Sequence, residues 1–171
     1  MRKMFRKSQK GFTFLELIAV LIILGILAAV AVTRATNFDV EVVTGADTLK
    51  SHLRYAQTMA MNSNPNAPAD QTVWGISCDG TSYWLFNGTD SGDNIMRLPE
   101  DDSYIDANRR INLAAKKISV SGFTVFFDNR GIPYSAYPGT PLASDLTISV
   151  SPIGGGTNVN INIKPLTGYM P

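Results

Sequence analysis

Cys78 and His52 are the lone cysteine and the lone histidine of this sequence, the residue types of a nucleophile and its general base. Their settings argue against that pairing. His52 falls mid-helix beside apolar positions and Cys78 at a strand end, so they read as a surface or half-buried histidine and a small packed thiol. With one of each, a His/Cys metal cluster and an intramolecular disulfide are both ruled out by counting. Asp90, Asp93 and Asn94 offer hard oxygen ligands for calcium in a glycine-containing loop, but their spacing matches no EF-hand. That stretch reads as a solvated loop. Gly154-Gly155-Gly156 lacks the Lys-Ser/Thr of a phosphate-binding loop and reads as a turn. No catalytic constellation, cofactor site or metal site is expected, and no enzyme. What remains is Glu16.

Glu16 is the only charge in the apolar run from Phe12 to Val32. That run has the ~20 residues, or roughly 30 Å of helix, needed to cross a hydrocarbon core. Arg2, Lys3, Arg6, Lys7 and Lys10 precede it, a basic head that the positive-inside rule keeps in the cytoplasm. Three fates are open to such a segment: a permanent anchor, a secretory signal cut after Ala29-Val30-Ala31, or a signal cut on the cytoplasmic side between Gly11 and Phe12. A plain anchor or an ordinary signal gains nothing from a carboxylate there. Cleavage after Gly11 instead gives Phe12 an α-amine with a pKa near 8, mostly protonated at neutral pH. Glu16 then lies within about one helical turn of that cation. The third fate gives the carboxylate a partner.

Lys10-Gly11-Phe12-Thr13-Phe14-Leu15-Glu16 followed by a long apolar helix resembles the prepilin signature of type IV pilins and type II secretion pseudopilins. The resemblance implies that a prepilin peptidase cuts after Gly11 and N-methylates Phe12. It also implies that Glu16 pairs with the N-terminal amine of a neighbouring subunit during assembly. Thr33 stands where many members carry proline, so that built-in helix break is lacking here. Further along, "LRYAQTMAMNSN", "FFDNRGIP" and the closing "PLTGY" resemble the GspH/FimT group of minor subunits. That likeness implies a long N-terminal helix whose C-terminal half packs on β-sheet.

Periodicity reaches the same architecture by itself. The chain has 171 residues, enough for one membrane segment and one modest domain. The helical signal weakens from Thr33 to Gly45, which is rich in β-branched residues, and a weak or kinked helix is expected there. Val42, Ala46, Leu49, Leu53, Ala56 and Ala60 then form one apolar face of an amphipathic helix, ended by "NSNPNAP" at 62–68. Beyond it the period becomes two. Val73–Ser77 and Tyr83–Phe86 flank a turn at Cys78-Asp79-Gly80, and alternating strands follow at 123–127, 146–150 and 159–163. "SPIGGGTN" turns the last hairpin, and residues 87–94 and 99–110 read as polar loops. The expected fold is α+β, type IV pilin-like: an antiparallel sheet on the second half of a long spine helix. The expected divisions are a leader at 1–11, a transmembrane and assembly helix at 12–33, an amphipathic helix at 34–64 and a β-rich domain at 65–171.

The basic head holds five of the fifteen Lys/Arg residues, which leaves the rest with ten basic and fourteen acidic side chains, a net −4. Phosphate binding needs clustered cations, and Arg109-Arg110 and Lys116-Lys117 are the only basic pairs beyond the head, close to Glu100-Asp101-Asp102. Lys164 is alone in the tail, and DNA is not expected as a partner. Arg130 in "DNRGIP" is expected to hold its turn through carbonyls or Asp128. The resemblance thus implies a structural minor pilin or pseudopilin of a type IV pilus or type II secretion pseudopilus. It would be single-pass in the inner membrane with its C-terminal domain in the periplasm. Its partners would be other pilin subunits, the prepilin peptidase and the inner-membrane assembly platform. A major pilin and a DNA-binding minor pilin of a competence pilus are the alternatives.

Overall fold

The computed structural model of the chain describes residues 13–171 and, within that range, the side chains of all but 31–39. The chain divides into two units, Met1–Asn37 and Phe38–Pro171. Helix α1 (Phe14–Met61) contributes to both.

In the first unit Thr13 opens α1. Its carbonyl accepts from the N–H groups of Glu16 (3.1 Å) and Leu17 (3.2 Å), and its Oγ1 also accepts from Glu16 N–H at 3.3 Å. A threonine at this position satisfies donors that a helix start would otherwise leave bare. Every described side chain from Phe14 to Val30 is exposed, on all sides of the helix. Among the described residues no helix is long and apolar enough to cross a membrane. The apolar run of the sequence continues at both ends, at Phe12 and at Ala31-Val32, into residues outside that description.

In the second unit the α1 face read from the periodicity is the helix side of the core. Val42, Leu49, Leu53, Ala56 and Ala60 are fully buried and Ala46 nearly so. Helix α1 runs without a break through the stretch where weakening is expected. β-Branched residues cost only a few tenths of a kcal/mol each in a helix, too little to break it there. Gly45 belongs to the packing of that core. A Cβ on it would stand 2.6 Å from Ile118 Cδ1, so the missing side chain lets a buried isoleucine lie against the helix.

After a one-turn helix α2 (Ala69–Thr72) come strands β1 (Trp74–Cys78) and β2 (Ser82–Asn87), paired antiparallel across the Asp79–Thr81 turn. Next are β3 (Ile95–Met96), a 3₁₀ turn at Asp102–Tyr104, β4 (Ile111–Asn112) and β5 (Ile118–Val120). Then follow β6 (Phe123–Phe127), β7 (Pro133–Tyr134), β8 (Leu146–Pro152) and β9 (Val159–Ile163). The described strands form two sheets rather than the single one expected: β3-β2-β1-β6-β7 with β4 also on β2, and β5-β8-β9. All pairs are antiparallel.

Both sheets put alternate side chains into the α1 core, among them Ile76, Leu85, Val125 and Phe127 from the first and Ile148 and Ile161 from the second. The other face of the first sheet carries a second apolar cluster of Val73, Trp84, Phe86, Phe126 and Tyr134. Gly75 makes that face possible. A Cβ there would fall 2.3 Å from the Val125 carbonyl oxygen and 2.4 Å from Phe86 Cζ, the space Phe86 occupies. Thus β1 and β2 are buried on both sides, whereas β8 and β9 alternate inward and outward.

Candidate functional site

The first candidate is the start of α1. Gly11 and Phe12 lie outside the described residues. Glu16 is in the first helical turn and exposed, three residues after Thr13, so Thr13-Phe14-Leu15-Glu16 has the spacing of a capping box. Only the threonine half of that box is made: among the described residues no hydrogen bond or ion pair reaches the Glu16 carboxylate. Phe14 (79 % exposed), Leu15 and Leu17 surround it with uncovered apolar surface, and Leu21 to Leu24 continue that surface along the helix. An apolar helix exposed on every side is made for lipid or for other helices. A carboxylate in its first turn can attract a cation arriving at the same level.

His52 lies deeper than the surface or half-buried position expected: it is 4 % exposed, with Nδ1 3.0 Å from Tyr83 Oη. Burial holds its pKa below the ordinary histidine value. The Glu100 charge and a hydrogen bond to the Pro99 carbonyl oppose that shift, and Lys116 adds to it. Cys78 is buried too, and burial pushes its thiol up to about 11, so little nucleophilic thiolate exists at neutral pH. The partner of His52 is a tyrosine, and among the described residues the sulfur of Cys78 accepts only a long contact from Gly80 N–H. Neither forms a nucleophile and base.

The 87–94 loop is held both by its own groups and by its neighbours, with Trp84 Nε1 donating to Ser91 O and Gly88 N–H to Val73 O. Asp90 Oδ1 accepts from Gly92 N–H at 2.8 Å and Asp90 O from Asp93 N–H at 3.4 Å, and the Asp90, Asp93 and Asn94 side chains are exposed. Among the described residues no group of three acidic, His or Cys side chains is placed to hold a metal. Gly154, Gly155 and Gly156 all have positive φ, as a glycine turn requires.

The basic side chains weighed for nucleic acid each meet a protein group. Arg109 donates to Ile95 O, and Arg110 lies 3.9 Å over the Trp84 ring and 3.6 Å from Asp79 Oδ2. Lys116 pairs with Glu100 at 2.6 Å, both nearly buried, and Lys117 with Glu41 at 2.8 Å. Lys164 pairs with Asp145 at 2.6 Å. Arg130 does hold its turn through Asp128. Its Nε and Nη2 donate to Asp128 Oδ2, while the N–H groups of Arg130 and Ile132 reach Oδ1 and the Tyr134 hydroxyl reaches Oδ2.

Two further arrangements escape sequence reasoning. The Tyr83–His52–Glu100–Lys116 group joins α1 to segments thirty to sixty residues away, and no local pattern announces it. Likewise Arg54 and Gln57 donate to the carbonyls of Met170 and Thr167, and Lys50 to that of Pro171, clasping the tail on α1. Their spacing of three to four residues beside the apolar face is the only sequence signal for it.

Against known proteins, the family model for the prokaryotic N-terminal methylation motif matches residues 6–32. Neither the curated proteins nor the solved structures gave a match. The chain therefore carries a prokaryotic N-terminal methylation motif at 6–32, ahead of an α+β fold in which a long helix packs on antiparallel sheet, as in a pilin-like fold.

Proposed function

We propose that this chain, a type IV pilin-like subunit by its motif, serves as a minor pilin or pseudopilin of a type IV pilus or type II secretion pseudopilus. The observation that carries the reading is the methylation motif at 6–32 set on an exposed apolar helix with one carboxylate in its first turn. In this reading a prepilin peptidase removes residues 1–11 and methylates Phe12. The apolar helix then holds the subunit in the inner membrane with the β-rich unit in the periplasm, where the assembly platform collects it. During assembly the helix moves from lipid into a bundle of like helices, an exchange of one apolar surround for another. Glu16 supplies the directional element: its carboxylate meets the Phe12 amine of a neighbour and fixes the axial register. The role is structural rather than enzymatic. A lone, buried cysteine speaks against a major pilin closed by a C-terminal disulfide, and the pairing of the basic side chains within the chain speaks against nucleic-acid capture.

Glu16→Ala tests it. Processing after Gly11 should persist, since the basic head and the Gly-Phe junction are unchanged. Incorporation into filaments should fall at least tenfold, because an unpaired ammonium in a low-dielectric bundle costs about 3–5 kcal/mol. Normal processing with incorporation at the wild-type level would contradict the reading.

A further inference from the structure

Strand β9 ends the β5-β8-β9 sheet. Which of its backbone groups are free follows from β8. Ser149 O accepts from Ser121 N–H and Ile153 N–H donates to Lys117 O, so the odd residues of β8 face β5. Leu146, Ile148 and Val150 therefore face β9, where their partners are Ile163, Ile161 and Val159. By the alternation of an antiparallel ladder, the N–H and C=O groups of Asn160 and Asn162 point away from the sheet. Among the described residues no backbone group reaches them. Lys164, next along the edge, is already used: its N–H donates to Tyr169 O and its carbonyl accepts from Gly168 N–H.

Folded proteins guard such an edge with charge, proline, a bulge or a covering loop. Here no charged residue and no proline occurs from Ile153 to Ile163, and β9 pairs with β8 in unbroken register. The free groups are also self-complementary. A second β9 laid antiparallel about Ile161, the midpoint of the strand, sets Asn160 opposite Asn162 of the other copy and Asn162 opposite its Asn160. Both are pairs whose outward groups face each other, giving four main-chain hydrogen bonds. Ile161 then meets Ile161, and Val159 meets Ile163, on the core side. With no charge on the strand, the two-fold brings no like charges together.

We infer that β9 is a self-pairing edge, at which two copies of this chain join their three-stranded sheets into one continuous six-stranded sheet centred on Ile161. The pairing is two-fold and closed, so it does not propagate as head-to-tail filament contacts do. It joins subunits outside the filament.

The test uses the full-length chain in detergent micelles, as separate Asn160→Cys and Asn162→Cys variants with circular dichroism matching the parent. Directly opposed residues in this register have Cα atoms about 5.5 Å apart, within disulfide range. Under mild oxidation the mixture of the two variants should form disulfide-linked dimers several-fold faster than either alone. Thr147→Cys, one strand inside the edge, should stay at the level of the parent, whose Cys78 is buried. Equal cross-linking by each variant alone and by the mixture, cross-linking at Thr147→Cys to the same extent, or none at all would each overturn the inference.

Discussion

Asp128 shows how much of this fold hangs on single polar side chains. One nearly buried carboxylate accepts from two backbone N–H groups, a guanidinium and the Tyr134 hydroxyl. Asp128→Ala leaves a buried hydroxyl and two turn donors without their acceptor, and should cost roughly 2–4 kcal/mol in denaturant unfolding. Asp128→Asn keeps one acceptor oxygen and should cost less; equal losses would mean that the carboxylate contributes only shape. This pairing is legible in "DNRGIP", because donor and acceptor are two residues apart. His52 is not legible in that way. Its burial depends on Tyr83 and on the loop at Pro99-Glu100, which a helical period cannot reveal. Its folded pKa lies below the unfolded value near 6.5, so the unfolded chain binds the proton more readily. The stability that neutral His52 contributes is thus present above about pH 6.5 and lost as the pH falls toward the folded pKa. Thermal melts should show stability declining from pH 7.5 to 5.5 and a flatter profile in His52→Gln; superimposable profiles would refute the assignment.

Gly45 marks where propensity and packing disagree at the level of elements. Read in sequence, a glycine among β-branched residues weakens a helix; in the fold it admits Ile118 of β5. Gly45→Ala adds about 1 kcal/mol of helix propensity but drives a methyl into a buried side chain, an overpacking worth about 1–3 kcal/mol. The single variant should be destabilised, and adding Ile118→Val, which removes the colliding Cδ1, should recover part of the loss. A double variant equal to the sum of the singles would break the proposed coupling. Strands β8 and β9 show in the sequence because their alternating residues outline a face, and β1 and β2 because they flank a turn at Cys78-Asp79-Gly80. The pairs at 95–96, 111–112 and 133–134 are too short for any period, and β5 is little longer. Of these only β5 belongs to the second sheet; β8 and β9 are legible, but that they pair with β5 apart from the first sheet is not, since a strand's partner across the fold is set by long-range contacts rather than by its own pattern.

At the scale of the whole molecule, the chain joins an exposed apolar helix to a unit with a well-filled core and ion-paired surface cations. The helix has no apolar cover of its own among the described residues, and the prokaryotic N-terminal methylation motif lies over its start. The apolar run and its carboxylate are legible in the sequence because they are contiguous and local. The roles given to Gly11, Phe12 and Glu16 rest on a single event, cleavage that makes Phe12 the N-terminus. Intact-mass analysis with N-terminal sequencing of the protein recovered from a host carrying a prepilin peptidase measures that event directly. The account predicts a chain that begins at Phe12 and carries one added methyl group on its α-amine. A chain that begins at Met1, or one that begins after Ala31, would contradict it.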